Sequence, residues 1–340
     1  MIVLIATIGP EIDCDAPGAS VTAAAAGVCS VPRLLAAQQP QAFVEEVRQI
    51  SWKPPLYHGW PTLARRKNGE LLLAFSGGRE AHICPFGRLE LMRSKDNGKT
   101  WGWPQVISDG PIDDRDAGVV ETPRGSILLT NFTSLAYVGQ LERMEQGLAK
   151  GFDPKLLAEW RAAHHRLTEA ERQRELGVWM WRSTDGGVSW SARYAAPCNS
   201  PHGPIALKDG RLLYPGIDLW AKDPILGVWE SADDGLKWNL MSKLPVRTGD
   251  DPANYHELHA VEAANGTIVL HIRNHNKAND HETLQCESTD GGKTWQTQNE
   301  GLTTTNIRTI SLSPSDPQLL YIGTNGSGLY RSTDGGQHWA

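Results

Sequence analysis

Four short stretches gather most of the residues in this chain that could bind a polar ligand or move a proton: "YHGW" (57–60), "DDRD" (113–116), "SPHG" (200–203) and "NYHE" (254–257). Four more follow them in turn: "SGGREAH" (76–82), "FTSLAY" (132–137), "IDLW" (217–220) and "RNH" (273–275). Carboxylic acids and imidazoles exchange protons near neutral pH, and guanidiniums grip anionic groups through two parallel hydrogen bonds. Arg, His, Asp, Glu, Tyr and Trp together are the mix of a polar-ligand pocket. One such residue alone would be a solvated loop side chain, but recurrence at equivalent places in four units points to a shared site.

The elements that must position these stretches are repeats. "SKDNGKTW" (94), "STDGGVSW" (183), "SADDGLKW" (231), "STDGGKTW" (288) and "STDGGQHW" (332) share one Ser-x-Asp-x-Gly-x-x-Trp box, and their starts lie 89, 48, 57 and 44 residues apart. A β-rich run, a Gly- or Pro-containing turn and a second β-rich run precede each box, as in "PTLARRKNGELLLAF" (61–75) and "HAVEAANGTIVLHI" (259–272), which reads as a hairpin. A further strand leads into the box, so the unit is a four-stranded antiparallel meander, and radial repetition of meanders makes a β-propeller. The expected fold is all-β, a propeller of five to six four-stranded blades with one helical insertion at about 138–176, where "LERMEQGLAKGFDPKLLAEWRAAHHRLTEAERQREL" (141–176) breaks the strand pattern.

In such a meander the box is the turn between strands 3 and 4. Its Asp would accept turn amides, its Gly supply positive φ, and its Trp pack back on the blade. The polar stretches lie at the opposite end, where strand 1 begins and strand 2 stops, and in a propeller these ends converge on the central axis.

Composition sets the remaining limits. With 340 residues, 40% hydrophobic, the chain can bury a sizeable core. A formal net charge of -6 without a run of Lys or Arg argues against nucleic-acid partners. Cys14, Cys29, Cys84, Cys198 and Cys286 are scattered, which fits buried small residues better than a metal site or a disulfide framework. No cofactor motif or metal-ligand spacing is present. "MIVLIATIG" is too short for a membrane span, and residues 1–40 read as a leader or disordered tail, consistent with a secreted or periplasmic monomer. "AFVEEVRQISWKPP" (42–55) is placed to supply a ring-closing strand, within a propeller of residues 41–340.

The boxes and hairpins resemble the Asp-box (BNR) repeats of the sialidase superfamily over roughly residues 50–340. "NYHELHAVEAANGTIVLHIRNH" (254–275) is similar to the sialidase segment with a catalytic Glu opening one strand and an Arg closing the next; "LLLAFSGGRE" (71–80) is similar to a stretch ending in an active-site Arg. The resemblance implies a carbohydrate substrate and exo-glycoside hydrolysis with retention, in which a Tyr replaces the usual carboxylate nucleophile. It implies Glu257 as the catalytic carboxylate, Asp114 or Asp116 as general acid, and Arg79, Arg115 and Arg273 as the cluster holding a sugar carboxylate. Tyr255 lies two residues from Glu257, which in a regular strand is the same face, and is the candidate nucleophile. His58, Trp60, His202 and His256 are expected to line the same face. Gly59-Trp60-Pro61 stands where the family carries Arg-Ile-Pro, and Glu80 and His82 occupy the neighbourhood of its acid Asp, so His82 joins the catalytic candidates.

Two other readings stay open. The histidines at 58, 82, 202, 256 and 259 suit altered chemistry on the same scaffold, such as a polysaccharide lyase. A non-catalytic propeller that binds glycan or protein would carry the same boxes.

Overall fold

The computed structural model describes residues 3–6, 46–51, 56–148, 153–219, 221–277, 282–297, 307–312, 316, 318–324, 328–336 and 338–340. Its repeats are antiparallel sheets in chain order. Blade 1 holds β3 (Tyr57–Arg65), β4 (Leu71–Arg79), β5 (Arg88–Ser94) and β6 (Gln105–Ser108), after a separate pair, β1 (Val3–Ala6) with β2 (Glu46–Gln49). Blade 2 holds β7 (Asp113–Glu121), β8 (Ile127–Ser134), β9 (Val178–Ser183) and β10 (Tyr194–Ala195). Blade 3 holds β11 (Ile205–Ala206), β12 (Leu212–Ile217), β13 (Leu226–Ser231) and β14 (Asn239–Lys243). Blade 4 holds β15 (Tyr255–Glu262), β16 (Ile268–Asn274), β17 (Glu282–Ser288) and β18 (Gln296–Thr297).

The fold is thus an all-β propeller, but the expectation of five to six four-stranded blades is not met. Four such blades form among the described residues, and the fifth repeat is a three-stranded sheet of β19 (Ile307–Leu312), β20 (Leu320–Thr324) and β21 (Leu329–Ser332). Where its fourth strand would run, Ala340 exchanges two backbone hydrogen bonds with Arg331. The segment expected to close the ring behaves differently too. β2 pairs with β1 in the register Val3↔Gln49, and Arg48 donates to the Gly98 carbonyl of the first box. Of the expected leader, residues 1–2 and 7–40 lie outside the described residues. No helix among the described residues is long and apolar enough to cross a membrane.

Period-two alternation decides the packing. On β4, Leu72 and Ala74 join Leu89 and Leu91 against Val119, Ile127 and Leu129 of blade 2, while Leu73 and Phe75 face the other way with Met92. On β8, Leu128 turns from its neighbours towards Leu212, Tyr214 and Trp229 of blade 3. A blade buried on both faces needs the near-continuous apolar runs seen in "LLLAF" and "ILLT". Cys84, Cys198 and Cys286 are buried free thiols.

The boxes spend their polar groups internally. In the first, the Ser94 hydroxyl accepts from Gly98 N at 2.8 Å, Asp96 accepts from Thr100 N at 2.8 Å, and Trp101 Nε1 donates to the Gly98 carbonyl at 3.1 Å. The same Ser–Gly bond recurs in the other four boxes. The Thr100 hydroxyl and amide hold Asp96 down at about 2. These are turn-building jobs.

The insertion is helical, with α1 (Ala136–Glu145), α2 (Pro154–His164) and α3 (Glu169–Glu175). Pro154 at the first turn behind an Asp153 cap starts α2, and a Thr168–Glu171 capping box starts α3. Tyr137, Leu141, Met144 and Trp160 pack on Cys84 and Ile112, and Trp160 Nε1 donates to Glu80 Oε2 at 3.1 Å. The insertion is therefore anchored on the blade 1 loop beside the central face, where Glu80 has a packing role.

Candidate active site

One backbone feature recurs where strand 1 of each blade begins. Trp60 (φ 51°), Asp116 (φ 52°), Gly203 (φ 73°) and Glu257 (φ 48°) occupy the left-handed region. The strand pairings slip at three of these places, between Gly59 and Thr62, Arg115 and Gly118, and His256 and His259. These are β-bulges, which re-aim a side chain out of the ladder. Glycine adopts this conformation freely, but a residue with a Cβ is strained there by about 1–3 kcal/mol, a cost that concentrates at functional sites. All three strained side chains line one cavity of 330 Å³, with His82, Arg115, His256 and Arg273.

The cavity's two carboxyl groups differ. Asp116 is 6% exposed, its Oδ1 is buried without a hydrogen-bond partner, and burial pushes it up to about 7, with Arg115 pulling down and Glu257 pushing up. Glu257 is a carboxylate paired to Arg273, whose Nη1 donates to Oε1 while its Nε meets His275 Nε2 at 2.7 Å. The Arg115 guanidinium carbon lies 4.8 Å from the centre of the Trp60 ring, and the His82 ring 4.9 Å from it. Burial lowers the pKa of His82, with Arg115 and Arg79 adding to the effect; His256 is lowered by burial and then by His275. Both imidazoles are therefore neutral at pH 7.

Several sequence candidates lie elsewhere. Arg79 is fully buried, and its guanidinium forks onto Asp113 at 2.5 and 2.9 Å and onto the His82 carbonyl at 2.9 Å. It lies 5.0 Å from the Trp60 ring and supports the pocket from behind. Asp114 is buried beside it, accepting from Gly110 N at 2.7 Å and Asn131 Nδ2 at 2.8 Å, and burial raises it to about 6. Tyr255 does not share a face with Glu257: the bulge at 257 breaks the alternation, and Tyr255 sits in the core between blades 3 and 4 with its hydroxyl on Asp250 at 2.7 Å. His58 turns away to Ser51, 2.9 Å off, in a separate cavity. His202 packs on His259 at 5.2 Å behind Pro201, which does line the site. Phe132, Ser134, Ala136, Asn199 and Ile217 complete the walls. All but Asn199 fall inside the quoted stretches, yet none has a side chain that advertises chemistry. Among the described residues no group of three His, Cys, Asp or Glu is placed to hold a metal ion.

The buried acids make stability pH-dependent. Asp116 has a folded-state pKa above its ordinary value of 3.8, so its contribution is intact below about pH 4 and is lost as pH rises through about 7. Asp116→Asn removes that loss. Its stability relative to wild type should rise by about 2–3 kcal/mol between pH 5 and pH 8, read from urea unfolding at each pH. An equal difference at both pH values would mean Asp116 ionises freely in the folded protein.

Comparison with known proteins agrees with the architecture. The BNR repeat-like domain matches residues 167–340, just over half of the chain. A protein of unknown function from Dyadobacter fermentans DSM 18053 superposes with TM-score 0.52 and 21% identity, over 81% of this chain and 78% of that one. The Hadza microbial sialidase Hz136 superposes with TM-score 0.50 and 17% identity, over 83% of this chain and 57% of that one. No curated protein matches the chain. At these identities the likeness establishes the fold alone, and the chain spans little more than half the length of that sialidase. Five boxes, meandering four-stranded blades and the match over the C-terminal half lead to one conclusion: this chain belongs to the BNR repeat-like domain family and is a sialidase-like β-propeller.

Proposed function

We propose that the protein is an exo-acting glycoside hydrolase that removes a terminal acidic sugar from a glycan. The observation that carries this reading is the pair of carboxyl groups, Asp116 and Glu257, both strained into one cavity, the first buried with a raised pKa and the second ion-paired to Arg273. A carboxyl that holds its proton, set beside a second carboxyl, is what glycoside hydrolysis requires. Asp116 gives its proton to the glycosidic oxygen as the bond to the anomeric carbon breaks. Glu257 faces the positive charge that develops on the sugar ring and takes a proton from the attacking water. In this reading the attacking group is water. A glycan substrate goes with an exported protein.

The neutral imidazoles of His82 and His256 favour one second reading, β-elimination, in which such a base removes the proton next to a sugar carboxylate. Sugar release from sialylated and uronic acid-containing glycans separates the two, since elimination leaves an unsaturated product absorbing in the ultraviolet. Hydrolysis should yield a saturated free sugar, with a rate falling above about pH 7 as Asp116 loses its proton, and no such limb in Asp116→Asn. A folded protein that releases nothing from any glycan would sink the hydrolase reading.

A further inference from the structure

We infer that the sugar this pocket takes is a six-carbon uronic acid whose single carboxylate is gripped by Arg115. The inference rests on the pocket being a glycan site, as proposed above, and concerns which anion it is equipped to hold.

Three guanidiniums lie around the cavity, and two are committed. Arg79 gives both prongs of its fork to Asp113. Arg273 is engaged by Glu257 and His275. Arg115 lines the cavity with its side chain only 12% exposed, yet its guanidinium makes no hydrogen bond among the described residues. Its one ion pair within 4 Å among the described residues is with an Asp113 oxygen 3.8 Å away, which already accepts from Arg79 at 2.9 Å. A guanidinium carries five N–H donors in a planar fork that matches a carboxylate, and those of Arg115 are uncommitted and face the cavity. A ligand carboxylate satisfies them.

Size and neighbours narrow the ligand further. At 330 Å³ the cavity is at the small end of ligand pockets, which span about 300–1,000 Å³. Ser134 and Ala136, where the insertion begins, form part of its wall. One pyranose ring carrying one carboxylate fits this space, whereas a nine-carbon acidic sugar brings a trihydroxypropyl arm and an acylamino arm as well. Trp60, beside Arg115, gives the ring an apolar surface. The carboxylate would also act on the acid: Arg115 pulls the pKa of Asp116 down, so neutralising that cation keeps Asp116 protonated while an acidic sugar is bound.

Calorimetric titration of the full chain with free glucuronate, galacturonate, their parent hexoses, a hexose 6-sulfate and N-acetylneuraminate tests this. The expected result is a uronate bound about 10- to 100-fold more tightly than its parent hexose, the range for a charge-assisted pair, and more tightly than the other anions. Arg115→Gln should erase that preference, and Arg115→Lys should restore only part of it. The wild-type comparison stands even if neither variant folds. Equal binding of hexose and uronate, tighter binding of the sulfate or of neuraminate, or no binding by any sugar would overturn the inference. Selective uronate binding without cleavage of any glycan would instead remove the hydrolase reading and leave this one standing.

Discussion

Glu257→Gln should lower kcat/KM by about 10³-fold while leaving the unfolding midpoint close to that of wild type, because positioned acid–base groups contribute on the order of 10²–10⁴-fold. The substitution is nearly isosteric and keeps an acceptor for Arg273, but removes the negative charge that faces the reacting ring. Asp116→Asn should show a different dependence. Its loss should approach 10²–10⁴-fold on glycans, whose leaving oxygen needs a proton, and shrink to a few-fold on aryl glycosides with an acidic phenol, which depart unaided. A parallel set of kcat/KM values on both substrate classes checks the assignment. If Asp116→Asn loses equally on both, it is not the proton donor.

The second large effect is on stability. Arg79→Met should destabilise the fold by about 3–5 kcal/mol, because it strands the Asp113 carboxylate where neither partner's side chain is exposed. Burial already raises the pKa of Asp113, opposed by the Arg79 hydrogen bond and charge. The double replacement Arg79→Met with Asp113→Leu should recover most of the loss, since an apolar pair of similar volume leaves no orphaned charge. Urea unfolding of the two single variants and the double measures the coupling. A cost below about 1 kcal/mol with a raised KM would show instead that Arg79 meets the substrate.

The difference between Arg79 and Arg115 shows what sequence alone can carry. The meander, its turns and the convergence of strand ends follow from periodicity and from the boxes, because backbone hydrogen bonding leaves few other ways to arrange such repeats. Asp116, Glu257, Arg115, Arg273, Trp60, His82 and His256 meet in one cavity for that reason. What periodicity hides is the exception to itself. Tyr255 and Glu257 share a face only if the strand is regular, and the left-handed residue at 257 makes it irregular. Arg79 sits at the expected strand end, but Asp113, a neighbour only after folding, claims its fork. The insertion was legible as helix to within two residues at its start, because its composition departs from everything around it.

The four left-handed positions carry a consequence beyond this site. At the three that carry a side chain, the residue stands outside the hydrogen-bonded ladder and points into the cavity, so it can be exchanged without disturbing strand register or the boxes at the opposite end. Three of the positions act as sockets on a fixed chassis, filled by an indole and two carboxyls, whereas in blade 3 the close approach of Gly118 and Thr130 leaves room for glycine alone. A lineage built on such a scaffold can trade one chemistry for another by single substitutions at these points, at the cost of a local strain that the rest of the propeller absorbs. Swapping the socket residues among blades, with stability and ligand preference followed separately, is a direct route to new specificities on an unchanged frame.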